Sequence, residues 1–202
     1  CIRDSLHIDN IVIVPHEHNY KITSDNFTKV FNSHPIQLGA GKEYWWGINT
    51  KYSSSLQFGD SFENESVLID LDESKKDKWN IFGFSPYQWM HVDLSSIYST
   101  SAIKFKLKAN ELPKLQAILF AYTGERRRLQ KTLNESNFIV KKNGIYEAYL
   151  PLKSLMGYSE FRWHDLKEIR FRVLEGNQFE IGDFEIIEFR GDPKKPTEWK
   201  GI

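Results

Sequence analysis

The chain has 202 residues, 27 basic and 27 acidic, with one cysteine and an aromatic fraction of 14%. Zero formal net charge argues against a nucleic-acid binder that works by phosphate neutralisation, and the single cysteine excludes an internal disulfide or a C-x-x-C site. No apolar run approaches the roughly 20 residues a membrane-spanning helix needs, while six Trp, nine Tyr and fourteen Phe argue for a folded chain with a large core.

In chain order, Ile8 to Pro15 reads as a strand. His16-Glu17-His18 follows, and on a strand its two histidines share a face and make a candidate zinc pair without an identifiable third ligand. The competing reading is an ordinary polar turn. Ser24 to Phe31 reads as a strand or a short helix. Gln37 to Asn49, with Gly39, Gly41 and Gly47 around Tyr44, Trp45 and Trp46, reads as an aromatic loop. Trp45 and Trp46 are candidate ligand contacts there; adjacent side chains point apart, so one of the two is expected to face out. Ser54 to Phe58 and Ser66 to Leu71 read as short strands. Residues 1–75 carry six bases against eleven acids, a split expected from solvated faces rather than from two partners.

The second half alternates clearly. Pro86 to Leu94 sets Gln88, Met90, Val92 and Leu94 against Tyr87, Trp89, His91 and Asp93. If the Met-Val-Leu side is core, Tyr87, Trp89 and His91 line the opposite face as a candidate groove; the competing reading packs Trp89 beneath a loop. Ala102 to Ala109 turns Ile103, Phe105 and Leu107 one way and three lysines the other. Asn110 to Pro113 breaks that strand, and Leu115 to Thr123 is apolar on both faces, as a central covered strand is. Tyr122 is a further candidate contact. Arg126-Arg127-Arg128 reads as a hairpin tip, solvated or touching an anionic glycan. Ile145 to Leu152 is a strand, Pro151 to Gly157 offers one short turn, and Glu168 to Leu174 alternates Ile169, Phe171 and Val173 against Arg170 and Arg172, candidate donors to hydroxyls or carboxylates. Gln178 to Phe189 is a strand pair or one long strand with a bulge at Gly182. Short strands separated by turn signals, with no sustained helical period, predict an all-β antiparallel sandwich of jelly-roll type. One domain spans 1–202, with residues 1–25 as an arm or leading strand and 191–202 as a surface tail.

The run from Asp93 to Arg190, "DLSSI", "IKFKLKA", "LQAILFAYTG", "GIYEAYLPLKSL", "DLKEIRFRVLEG" and "FEIGDFEI", resembles the galactose-binding-domain-like jelly rolls of carbohydrate-binding modules, especially the family-eleven kind, and the accessory jelly rolls of glucan hydrolases. The resemblance covers about half the chain. It implies a non-catalytic module that binds a polysaccharide or oligosaccharide through an aromatic-lined groove. It also implies a structural calcium to which Asp183 contributes, although Phe184 stands where the closing motif has its second acid. A glycoside hydrolase or polysaccharide lyase on the same scaffold, or a ligand-free accessory module of a glycan-degrading enzyme, are the alternatives. No G-x-S-x-G elbow and no glycine-rich phosphate loop is present. A chain opening on Cys1 resembles a mature bacterial lipoprotein, implying a lipid anchor and an extracellular or cell-surface location; an arbitrary fragment boundary is the alternative.

Overall fold

The computed structural model describes residues 36–39, 41, 44–47, 57–71, 80–86, 92–121, 127–157 and 160–188. Two antiparallel sheets face one another across a shared core. The first contains β1 (Ile36–Gln37), β3 (Gln57–Phe58), β4 (Ser66–Asp70), β6 (Ser101–Lys108), β9 (Phe138–Val140), β10 (Ile145–Pro151) and β13 (Gln178–Glu188). Its order is β3-β4-β13-β6-β10-β9, with β1 also pairing on β13. The second contains β2 (Trp45–Gly47), β5 (Ile81–Phe84), β7 (Lys114–Ala121), β8 (Arg127–Thr132), β11 (Met156–Gly157) and β12 (Leu166–Glu175), in the order β11-β8-β7-β12-β5-β2. The expected all-β antiparallel jelly-roll sandwich is the observed fold.

Period-two alternation builds this arrangement. On β6 the inward Ile103, Phe105 and Leu107 are buried while Lys104, Lys106 and Lys108 face out. On β12 Ile169, Phe171 and Val173 are inward, and Arg170 and Arg172 outward. The turn between β9 and β10 is Asn143-Gly144, both at positive φ (60° and 71°), the conformation a two-residue type I′ hairpin needs. Asp93 accepts the Ser95 N–H at 2.8 Å, an Asx turn that bends the chain after Val92 bridges to Leu166.

Three expectations need correction. Trp45 and Trp46 lie on strand β2, paired with β5, and not in a loop. Arg127 and Arg128 lie on strand β8. Ile81–Phe84 and Phe138–Val140, for which no strand was expected, are strands β5 and β9. The closing segment takes the second of its two expected forms, one long strand, β13, with the expected irregularity at Gly182, where the register shifts before Glu185.

Aromatic rings fill the centre. Phe184 lies 4.8 Å from Phe84, 5.1 Å from Phe105 and 5.6 Å from Phe171, centroid to centroid. Asp183, at φ 53°, sits in the β13 bulge, so that Phe184 turns inward while Asp183 meets Lys106 on the outside. The apolar residue in the closing motif is therefore a core requirement.

Candidate functional site

The outer faces of the two sheets differ in chemistry. On the first sheet, Lys104 reaches Glu185 at 2.7 Å and Glu147 at 4.0 Å, Lys106 reaches Asp183 at 2.7 Å, and Lys141 reaches Glu147 at 2.9 Å. The Tyr149 hydroxyl donates to Glu147 at 3.0 Å, and Glu180 accepts from the Ser66 hydroxyl at 2.6 Å and the Ser61 N–H at 3.1 Å. This face is a self-satisfied ladder of charges.

The ladder shifts protonation. Burial alone would raise the Glu147 carboxyl, but hydrogen bonds from Lys141 and Tyr149 and the charge of Lys104 bring it below its ordinary value. Glu180 follows the same pattern, burial being outweighed by the hydrogen bonds from Ser61 and Ser66. The hydrogen bond to Asp183 raises Lys106 despite its partial burial, and burial, then the Glu147 charge, pushes the Tyr149 hydroxyl up. A lowered carboxyl stabilises the fold above the unfolded value near 4.5 and loses that contribution as pH falls through the folded value. A raised lysine stabilises below 10.5 and loses its contribution as pH climbs past that value. The melting temperature is therefore expected to hold a plateau between these limits and to fall on both sides. A melting temperature unchanged down to about pH 3 would contradict this.

Asp183 was a candidate calcium ligand. Its Oδ2 meets the Lys106 ammonium and its Oδ1 accepts the Asn64 N–H at 2.7 Å. Among the described residues, no group of three His, Cys, Asp or Glu side chains is placed to hold an ion. A carboxylate already matched to an ammonium is a donor set that does not fit calcium. His16, Glu17 and His18 lie outside the described residues.

The outer face of the second sheet carries rings, guanidiniums and amides. One row crosses the strands as Trp46 (β2), Gly83 (β5), Arg170 (β12), Ile118 (β7) and Gln130 (β8). Adjoining rows add Glu168, Phe120 and Arg128 on one side, and Arg172, Gln116 and Thr132 on the other. The Arg170 guanidinium carbon lies 4.7 Å from the Trp46 ring centroid and 4.0 Å from that of Phe120, so the cation is held between two rings. Glu168 accepts from Arg170 Nε at 2.5 Å and also pairs with its Nη2. Arg172 donates to the Gln116 amide oxygen at 3.2 Å.

Gly83 makes the stack possible. A Cβ there would lie 2.6 Å from the Ile169 carbonyl oxygen and 3.0 Å from Arg170 Cγ. With no side chain between β2 and β12, the Arg170 stem leans across the gap to Trp46. Gly83→Ala is expected to lower the melting temperature and to detach Arg170 from Trp46, read as a change in Trp fluorescence; an unchanged melting curve and spectrum would refute this role.

Of the side chains picked out in the sequence, Trp46, Arg170 and Arg172 come together on this face. Trp45 does not: it is 2% exposed and packs on Phe84 at 4.5 Å and Phe184 at 5.9 Å, because β2 alternates and its neighbour takes the outward position. Tyr87, Trp89, His91 and Tyr122 lie outside the described residues. Phe120, Glu168 and the amides Gln116 and Gln130 were not picked out. Their signal was parity: Glu168 shares the side of Arg170 and Arg172, and Phe120 that of Ile118. A cavity of about 590 Å³ lies elsewhere, between Leu112, Pro113, Thr132, Leu133 and Phe138. Among the described residues it offers one half-buried ring and no guanidinium, so the sheet face is the better candidate.

No protein-family model matches the sequence, and no curated protein does. Among solved structures, a family 30 carbohydrate-binding module aligns with a TM-score of 0.50 at 16% identity, covering 79% of this chain and 96% of the module. The family 30 module of a cellulosomal cellulase of Clostridium thermocellum gives 0.51 at 15%, over 79% and 95%. The family 11 module of another cellulosomal cellulase of that organism gives 0.45 at 10%, over 79% and 96%. The resemblance read from the closing strands thus holds for the fold: this chain is a two-sheet jelly roll of the kind seen in family 30 carbohydrate-binding modules.

Proposed function

We propose that the protein binds a carbohydrate, without cleaving it, on the outer face of the second sheet. The observation that carries this reading is the stack of Trp46, Arg170 and Phe120 beside the amides of Gln116 and Gln130. The C–H faces of a sugar pack against aromatic planes, while amide and guanidinium groups satisfy its hydroxyls. Fixing the ring in advance saves ordering entropy on binding, and the cation between the two rings does that here. The binding role is favoured over hydrolysis because the two acids among the described strand residues of this face stand at opposite ends of β12, Glu168 committed to Arg170 and Glu175 to Lys114. Two-carboxylate hydrolysis needs a partner acid roughly 5 to 10 Å away.

The test is calorimetry of the purified protein against a panel of soluble glycans, with Trp46→Ala alongside. The wild type is expected to bind at least one glycan. The variant should lose about 1 to 3 kcal/mol of affinity, the value of burying a large apolar side chain, while keeping its melting temperature. Binding that is indifferent to Trp46, or no binding to any glycan, would refute the reading.

A further inference from the structure

We infer that the glycan this face accepts is a polyanion, a polysaccharide bearing carboxylate or sulfate groups at intervals, received by Arg128 and Arg172; the inference rests on the carbohydrate reading above. The chain as a whole has equal numbers of acids and bases. On the outer face of the first sheet that balance is local: Lys104 and Lys106 each meet a carboxylate, and Lys108 donates to the Ser61 hydroxyl beside Glu180. The second sheet breaks the pattern. Its outer face has three arginines and Lys114 on described strands against two acids, and both acids are taken: Glu168 is bound to Arg170 and Glu175 to Lys114 at 2.7 Å. Among the described residues, Arg172 has only the neutral Gln116 amide as a side-chain partner, at 3.2 Å, and the exposed Arg128 has no carboxylate partner. Among the described residues, two guanidiniums thus stand without a carboxylate on the face that carries the rings.

Their spacing bears on the ligand. Arg172 shares a row with Gln116, and Arg128 a row with Phe120, two strands over and four residues along. With strands about 4.8 Å apart and about 3.3 Å per residue, their backbones are roughly 16 Å apart. One anionic group cannot reach both, so a ligand that uses both must carry charges at separated points along its length. Between them lie the half-buried Gln116 amide and the side chains of Ile118 and Phe120, which are themselves buried. Guanidinium is the side chain whose planar fork matches a carboxylate or sulfate with two parallel hydrogen bonds.

The experiment compares polygalacturonate and alginate (carboxylate), carrageenan (sulfate), mixed-linked β-glucan and xylan (neutral), and polyglutamate (a polyanion without sugar), each by calorimetry at low and high NaCl. An anionic polysaccharide is expected to bind best, and its affinity to fall about tenfold or more as salt screens the exposed charges. Arg128→Gln, an exposed change that leaves the core untouched, should weaken that binding about tenfold with the melting temperature kept. Arg172→Gln should do the same, with its melting curve measured alongside. Carboxylate against sulfate probes separates the two sources of charge. Tight, salt-independent binding of a neutral glycan, unaffected by either substitution, would overturn the polyanion inference and leave the carbohydrate reading standing. Equal affinity for polyglutamate would reduce the effect to bare charge attraction and overturn it too, while failure to bind any glycan would overturn both readings.

Discussion

Trp45→Ala is expected to cost roughly 3 to 5 kcal/mol of stability, a fall of roughly 6 to 20 °C in melting temperature for a chain of this size, although its neighbour Trp46 can be truncated with the fold kept. Trp45 is almost fully buried and its ring packs on Phe84 and Phe184 at the centre of the sandwich. Alanine would leave a ring-sized cavity between the sheets, whose strands are too well paired to collapse into it. Trp45→Phe should be far milder. It loses some volume, yet it removes an indole Nε1 that is buried with no hydrogen-bond partner among the described residues, a group whose desolvation costs about 1 to 3 kcal/mol. Thermal denaturation of the three proteins checks the order: wild type and Trp45→Phe close together, Trp45→Ala far below. If the alanine variant melted like the wild type and lost only ligand binding, Trp45 would belong to the site and the placement of β2 would be wrong.

The second large effect is expected at Glu168. Its side chain is 4% exposed and that of Arg170 15%, so removing the carboxylate strands a nearly buried guanidinium. Breaking such a pair from one side costs roughly 3 to 5 kcal/mol. The lower end fits here, because Arg170 keeps its contacts with two rings. Glu168→Ala should therefore lose roughly 3 kcal/mol of stability, and it should also weaken glycan binding, since Arg170 no longer holds Trp46 in place. The double variant Glu168→Ala, Arg170→Met separates the causes. Stability should largely return, because the uncompensated charge is gone, while affinity should not. Recovery of both would mean that the pair serves stability alone.

Alternation made β6, β7, β10, β12 and β13 legible, each having at least three inward apolar residues and a clear break at its ends. The strands that were missed lack that pattern for physical reasons. In β5, Ile81–Phe84, the outward position between Phe82 and Phe84 is Gly83, kept empty for Arg170, so no polar residue marks the outer face. In β8, near the sheet edge, Leu129 is the one buried side chain among polar neighbours, and the run reads as a charged tip. In β2, glycines suggested a loop. Yet Gly47 is demanded by close approach: at φ 131° its Cβ would lie 2.3 Å from Phe82 Cα. The same short strand settled which tryptophan faces out. At Phe184 the closing motif was read for an acid, and the β13 bulge that turns Asp183 outward and Phe184 inward is a backbone event that residue types alone do not announce.

Chemical-shift mapping on isotope-labelled protein, titrated with a soluble oligosaccharide that it binds, locates the carbohydrate on one sheet or the other. The perturbed signals are expected to gather on the Trp46 indole, Phe120, Gln116, Gln130 and Arg172, while Lys104, Lys106 and Tyr149 on the opposite sheet stay still. Perturbations confined to the first sheet, or to the cavity beside Leu112 and Phe138, would contradict a site on the second sheet.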